Sequence, residues 1–266
     1  MTTIPKIIHY CWFGNRKLPD SAKKCIESWK KYYPDVKIKQ WNESNFDFSC
    51  CSYVKEASEA RKWAFVSDYA RFWILYNYGG IYFDTDVELI KSIDHILNRG
   101  PFMACENKQS INPGLGIAAP AGLKIYKEIL DYYSTQHFLF KDGIENDETI
   151  VTRVTKIFKD KGFKGTNNIE KVAGVAIYPT KYFCPLNYKT GKLDIQRDTV
   201  AIHHYTASWH SRLDNIVGSI ENNEKIKNLR LRRIISLPFR IINKWKKTGT
   251  RNVVRVIINK ITFMRY

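Results

Sequence analysis

Apolar and polar positions along the chain change period several times, and each change marks an element. Ile4 to Phe13 is an almost unbroken apolar run, entered through Pro5 and closed by Gly14-Asn15, which predicts a strand buried on both faces of a parallel sheet. From Pro19 to Tyr33, Ala22, Cys25, Ile26, Trp29 and Tyr33 recur at helical spacing among lysines and glutamates, as in an amphipathic helix lying on a sheet. Pro34 ends it, Val36 to Trp41 alternates like a second strand, and Val54 to Lys62 reads as another helix. Ala60 to Tyr78 is apolar and aromatic with few polar positions, a buried helix that Gly79-Gly80 stops, since glycine tolerates backbone angles closed to other residues. Ile81 to Val87 follows as a short apolar strand, and Phe102 to Cys105 reads as an edge or reversed strand. Leu123 to Tyr133 is an amphipathic helix, Asp142 to Phe158 a second one capped from Asp147 or Thr149, and Val172 to Tyr178 and Thr199 to His204 are late strands. The order β-α-β-α-β requires an α/β fold, Rossmann-like, with a mostly parallel central sheet flanked by helices.

Chemistry collects around the glycine pair. Asp68 and Arg71 stand three apart, so one helical turn puts them on the same face. In a strand, Asp84 and Asp86 point the same way and Thr85 the other. Two carboxylates side by side at the end of a buried strand repel each other unless a cation sits between them. Hard oxygen ligands suit Mg²⁺ or Mn²⁺, and such a metal is suited to clamp a diphosphate. Late in the chain, His203 and His204 adjoin; neighbours in a strand face opposite ways, so at most one joins the aspartates, His203 being preferred and His204 the alternative. Trp12 falls at the C-terminal end of the first strand, where open α/β sheets bind ligands. Position alone leaves core packing and stacking on a base equally open.

The set SDYAR followed by YGGIYFDTDV resembles the sugar-nucleotide-binding region of glycosyltransferases with a D-x-D motif, the family 32 group of polysaccharide and mannan enzymes, and more distantly the clostridial glucosylating toxins. The resemblance implies a GT-A fold, a nucleoside-diphosphate sugar donor, a divalent metal and retention of anomeric configuration. It also implies roles. Asp68, Arg71, Asp84 and Asp86 would be catalytic, and Asp84, Asp86 and His203 would hold the metal. Trp12, in the opening H-Y-x-W-x-G, would lie on the base. Tyr82, Asp84 and Asn112, the last in a glycine-bearing loop, would contact the donor. Ser208 and Trp209, in the closing H-H-Y-x-A-S-W, would touch phosphate. Asp147 or Glu148 would stand near an acceptor hydroxyl, although acidic residues at a helix N-terminus also serve its dipole.

Composition changes this picture at one end only. The 266 residues carry a net charge of +17, 44% hydrophobic and 14% aromatic content, too apolar for a disordered chain. Beyond Glu224 there are 13 basic residues and no acidic one, leaving 30 basic against 26 acidic in the rest. We therefore divide the chain into a catalytic domain, 1–224, and a basic amphipathic helical tail, 225–266. Within the tail, Leu231, Ile234, Ile235, Ile242 and Trp245, then Val254, Ile257, Ile258, Ile261 and Met264, form apolar stripes suited to an anionic membrane surface. A packed cap is the second reading of these stripes. Nucleic acid ranks last, and is set aside, because the body is not basic and no reading motif is present.

Six cysteines without a regular framework read as reduced thiols, and no run approaches the ~20 apolar residues of a membrane span. The expectation is a cytoplasmic enzyme, peripheral on the inner face of the membrane. It would move a hexose from a UDP-sugar to a hydroxyl of a lipid-linked glycan of capsule, O-antigen or lipopolysaccharide. The competing expectations are a non-catalytic nucleotide-sugar-binding protein and a metal-dependent nucleotidyl- or phosphotransferase, whose usual Gly-rich phosphate loop is absent.

Overall fold

The computed structural model describes residues 3–140, 144–188 and 190–206, and beyond them 216, 217, 220, 226 and 228–248. The chain divides into two compact units, residues 1–205 and 206–266. The first contains, in order, β1 (Ile7–Cys11), α1 (Asp20–Tyr32), β2 (Lys37–Trp41), α2 (Ser52–Glu59), α3 (Trp63–Tyr78), β3 (Gly80–Tyr82), β4 (Val87–Leu89) and α4 (Asp94–Leu97). It continues with β5 (Phe102–Asn107), β6 (Ser110–Ile111), β7 (Ile117–Ala119), α5 (Lys124–Ser134), α6 (Ile150–Asp160), β8 (Glu170–Val172), β9 (Val175–Tyr178), α7 (Thr180–Phe183) and β10 (Ala201–His203). The second unit contributes α8 (Leu229–Thr248), which runs through Pro238.

The main sheet has the order β2-β1-β3-β7-β5-β9-β8, with β6 paired to β5. Strands β2, β1 and β3 are parallel, β7 opposes β3 and β5, and β9 runs with β5. Five strands of the seven thus share one direction, and β7 and β8 oppose them. Alternate residues enter opposite faces. Cys11, Tyr82, Met103 and Ile117 join a core with the buried faces of α2, α3, α5 and α6, while Tyr10, Ile81, Phe102 and Ala118 join another with Trp29 of α1 and Phe183 of α7.

Strand β5 is internal, between β7 and β9, and runs with β1, which corrects the expected edge or reversed strand. Phe102 to Cys105 are buried on both faces, as the unbroken apolar run should have indicated. The reversed strand is β7, whose small residues sit between β3 and β5.

The junction of α3 and β3 is tight. Gly79 takes φ 63° and ψ −170°, and its N–H caps Leu75. A Cβ at Gly79 would lie 2.7 Å from the Ala121 nitrogen, and one at Gly80 2.7 Å from the Ile7 carbonyl oxygen. His9, 1% exposed, secures this corner. Trp41 Nε1–H donates to its Nδ1 (3.1 Å), which leaves the proton on Nε2 to be donated to the Gly79 carbonyl (3.0 Å). Burial pulls its pKa down to about 4, so it is a neutral structural histidine.

Strands β4 and β10 form a separate antiparallel pair, Val87 opposite His203 and Leu89 opposite Ala201. Trp29 of α1 donates its indole N–H to the Val87 carbonyl (2.7 Å), and the Ser28 hydroxyl accepts from the Leu89 N–H (2.9 Å). Helix α1 thereby satisfies backbone groups of β4 and fixes where the β10 partner must lie. All six cysteines are free thiols. No described helix is long and apolar enough to cross a membrane.

Candidate active site

Strand β3 ends at Tyr82, and Asp84 to Val87 form a turn closed by a hydrogen bond from the Val87 N–H to the Asp84 carbonyl (3.1 Å). The two aspartates are therefore brought together by this turn rather than by strand alternation. Pairing of β10 with β4 then carries His203 in from a distant part of the chain. Its Nε2 lies 3.1 Å from Asp86 Oδ1, and one ligand atom from each of Asp84, Asp86 and His203 falls within 4.8 Å of the others. His204 faces away, its Nε2 2.7 Å from Glu88 Oε2 on the exposed side. The alternation expected of neighbouring strand residues thus operates on the histidines.

Asp84 is held from two sides. Tyr82 donates its hydroxyl to Oδ1 (3.0 Å), and Arg71 Nη1–H donates to Oδ2 (3.3 Å). The same guanidinium donates through Nη2 to Asp68 Oδ1 (3.0 Å) and through Nε to the Ser67 carbonyl (3.1 Å), and it lies over the Tyr82 ring at 5.1 Å. Burial pushes Asp84 above the usual carboxylate range, against the pull of Arg71. Burial likewise raises Asp68 to about 6, opposed by Arg71. Carboxylates in this state gain most from a cation, because it removes the charge that burial penalises.

Gly114 completes the pocket wall. A Cβ there would run into Asp84 Oδ2 and lie 3.1 Å from both Arg71 Nη1 and Asn112 Oδ1, so only glycine leaves the carboxylate its place. Asn112 shapes this loop: its Oδ1 accepts from the Gly114 N–H (2.8 Å) and its Nδ2 donates to Glu106 Oε2 (2.9 Å). The residues fit a divalent cation. They combine two carboxylates with an imidazole whose Nε2 faces Asp86, the donor set of a hard to borderline ion; among the described residues its buried Nδ1 has no hydrogen-bond partner.

The other expected site residues differ in their relation to this corner. Trp12 follows β1, half-buried, its indole N–H donated to the Arg16 carbonyl (2.6 Å); no described hydrogen bond or ring contact joins it to the aspartates. Tyr82 is 1% exposed and acts through Asp84 from inside the core, so it is better placed to orient the carboxylate than to touch a donor. Thr149 caps α6 by accepting from the Thr152 N–H, Glu148 pairs with buried Arg153 (3.5 Å), and Asp147 is exposed. Ser208, Trp209 and the stripe from Val254 to Met264 lie outside the described residues. Two neighbours of the corner were not singled out in the sequence. Tyr205 sets its ring 4.1 Å from the His203 ring, and Glu106 anchors Asn112. Tyr205 stands inside the H-H-Y-x-A-S-W segment, a signal that was present but not assigned to a residue.

Residues 19–103 match the family described as glycosyltransferase sugar-binding region containing DXD motif, and the match includes Asp84-Thr85-Asp86. An uncharacterized glycosyltransferase, L373, of Acanthamoeba polyphaga mimivirus is 26% identical over 200 residues, 71% of this chain and 76% of that one. Inositol phosphoceramide mannosyltransferase 3 of Schizosaccharomyces pombe is 29% identical over 145 residues, 51% of this chain but only 40% of the yeast enzyme. Among solved structures, a glycosyltransferase involved in glycosylation of the major capsid of PBCV-1 aligns over 76% of this chain and 95% of that chain, with 13% identity and a TM-score of 0.45. The sheet with its carboxylate corner is the mostly parallel α/β architecture expected from the motifs, and residues 19–103 of the chain are similar to a glycosyltransferase sugar-binding region containing a DXD motif.

Proposed function

We propose that the enzyme transfers a hexose from a nucleoside-diphosphate sugar, UDP-linked in the first reading, to a hydroxyl of a glycan, with retention of configuration. The observation that carries this is the convergence of Asp84, Asp86 and His203 beside Arg71. A Mn²⁺ or Mg²⁺ ion bound by those three residues would neutralise charge building on the departing diphosphate. Asp68 holds Arg71, and Arg71 and Asp68 together would orient hydroxyls of the donor sugar. Glycine at 114 leaves Asp84 and Arg71 the places from which they would act on the donor. Trp12, at the C-terminal end of β1, would take the base, and Ser208 and Trp209 the phosphates.

The likeness to a yeast inositol phosphoceramide mannosyltransferase supports mannose as a second donor sugar and a lipid-linked acceptor. A bacterial surface polysaccharide, such as capsule or lipopolysaccharide, remains the first acceptor context. In this reading residues 1–224 form the catalytic domain and the basic tail, 225–266, attaches the enzyme to the inner face of the cytoplasmic membrane. Support for that attachment is the exposure of Leu231, Ile234, Ile235 and Ile242 on α8 among thirteen basic residues.

The test is release of free nucleoside diphosphate from a panel of UDP- and GDP-sugars with Mn²⁺ present or chelated, and NMR of the product's anomeric proton. Metal-independent release, or an inverted product, would sink the corresponding part of the reading. For the tail, deletion of 225–266 should move the protein from the membrane pellet to the supernatant; a truncated protein that still pellets with membranes removes the anchor.

A further inference from the structure

A second site lies next to the cation corner. A cavity of about 570 Å³ opens between the end of β5, α7 and the segment that follows, walled by Glu106, Lys108, Cys184, Tyr188, Asp194 and Tyr205 among others. That volume suits one or two sugar rings. Residues 185–188 pair with residues 190–194: Leu186 bridges Leu193, the Asn187 N–H donates to the Lys192 carbonyl (2.9 Å), and the Asp194 N–H donates to the Pro185 carbonyl (3.0 Å). This hairpin lifts Tyr188 to the cavity's edge, where it is 57% exposed, with its ring 5.1 Å from that of Tyr205.

Tyr205 connects this cavity to the metal ligands. It takes a left-handed backbone, φ 50°, costly for a residue with a bulky side chain and therefore a sign of a constrained place. Its ring packs edge-on against His203 at 4.1 Å, while its hydroxyl meets Cys184 Sγ at 2.9 Å. The Cys184 thiol in turn donates to the Glu106 carbonyl (3.8 Å). On the opposite wall, Glu106 Oε2 accepts from Asn112, which shapes the Gly114 loop against Asp84; among the described residues its other carboxylate oxygen has no protein partner.

We propose that this cavity is the acceptor-sugar site. Tyr188 offers an aromatic face to the C–H face of a pyranose, and the free carboxylate oxygen of Glu106 accepts one of its hydroxyls. Aromatic faces carry negative charge density that attracts the slightly positive C–H edge of a sugar ring, and a carboxylate accepting a hydroxyl proton makes a charge-assisted bond. The Tyr205 and Asn112 links put this sugar next to the donor's leaving group, as transfer requires. The inference rests on the transferase reading and names the acceptor's place within it.

The full-length protein with Mn²⁺ is examined by saturation-transfer NMR against methyl α-mannoside, methyl β-galactoside, methyl β-glucoside and methyl β-N-acetylglucosaminide. At least one glycoside should receive saturation from the wild type. Tyr188→Ala should weaken its binding about tenfold, and Tyr188→Trp should keep it. Where that glycoside also accepts sugar, Tyr188→Ala should raise its KM about tenfold, and the donor's KM should stay within twofold. Glu106→Gln should weaken the same glycoside by a larger factor than it weakens Mn²⁺. No saturation of any glycoside, or binding undiminished in Tyr188→Ala, overturns the acceptor site. A wild type that binds a glycoside but releases no nucleoside diphosphate from any sugar nucleotide instead overturns the transferase reading on which the inference rests.

Discussion

Two histidines are buried in the first unit, and their surroundings differ in one respect. His9, on β1, has both ring nitrogens engaged by the protein: Trp41 donates to one and the Gly79 carbonyl accepts from the other. His203, on β10, has one nitrogen against Asp86 and the other buried without a partner among the described residues. A buried polar group with all its bonds made is scaffold, since it already recovers what burial costs. One left incomplete beside two carboxylates is arranged for something the chain itself does not supply. Burial and residue type are the same in both, and the two differ in how many ring nitrogens the described residues engage.

Substitutions can break this contrast, and the largest effect should come from the aspartate that touches His203. Asp86→Asn should lower metal-dependent transfer by about a thousandfold, the scale of transition-state charge stabilisation by a bound ion, with little change in melting temperature. Turnover within tenfold of wild type would remove the metal role. His203→Gln should weaken Mn²⁺ activation about 10–100-fold, at least what loss of an outer-shell partner costs, while global stability holds. A variant with normal Mn²⁺ dependence would make His203 scaffold like His9. Gly114→Ala probes the corner without touching a ligand. Its Cβ must displace Asp84 or Arg71, and kcat should fall by up to about a hundredfold in a protein whose circular dichroism is unchanged.

His9 supplies the opposite arm. His9→Phe leaves the Trp41 N–H and the Gly79 carbonyl without partners, and should cost about 3 kcal/mol in urea unfolding while transfer at 25 °C persists. The pH dependence sharpens it. Between pH 6.5 and about 4 the unfolded chain protonates this histidine and the folded chain does not, so the wild type loses stability as pH falls through that window. The phenylalanine variant lacks that linkage. The stability gap between the two should therefore narrow by about 3 kcal/mol from pH 7 to pH 4, and a gap constant with pH would mean His9 takes up its proton equally in the folded and the unfolded chain.

Much of this was legible in the sequence because local pattern and tertiary environment agreed. The run from Ile4, the stripe Ala22-Cys25-Ile26-Trp29 and the glycine stop after Tyr78 each announce an element that the fold contains. The Asp68–Arg71 pair also forms as its spacing indicated, at 3.0 Å. What failed did so where a short segment takes its shape from partners far away. Val87–Leu89 is a strand through β10 and α1, not as an extension of β3, so a strand-alternation argument gave the right neighbours for Asp84 and Asp86 by the wrong route. The two helices expected over Val54 to Lys62 and Ala60 to Tyr78 are both present, but the first ends at Glu59 and the second starts at Trp63, with Arg61 at a positive φ of 56° between them. Tyr205 and Glu106 come to the same cavity only through tertiary structure, and no spacing rule relates positions so far apart.

The β4–β10 pairing has a consequence in time as well as in space. The third candidate ligand is residue 203, 117 positions after the second, so a chain growing from its N-terminus can finish the entire matched segment, 19–103, and still lack one member of the cluster. Competence arrives late in synthesis and all at once. A fragment cut anywhere between 103 and 203 would keep its signature motif yet have only half a claw.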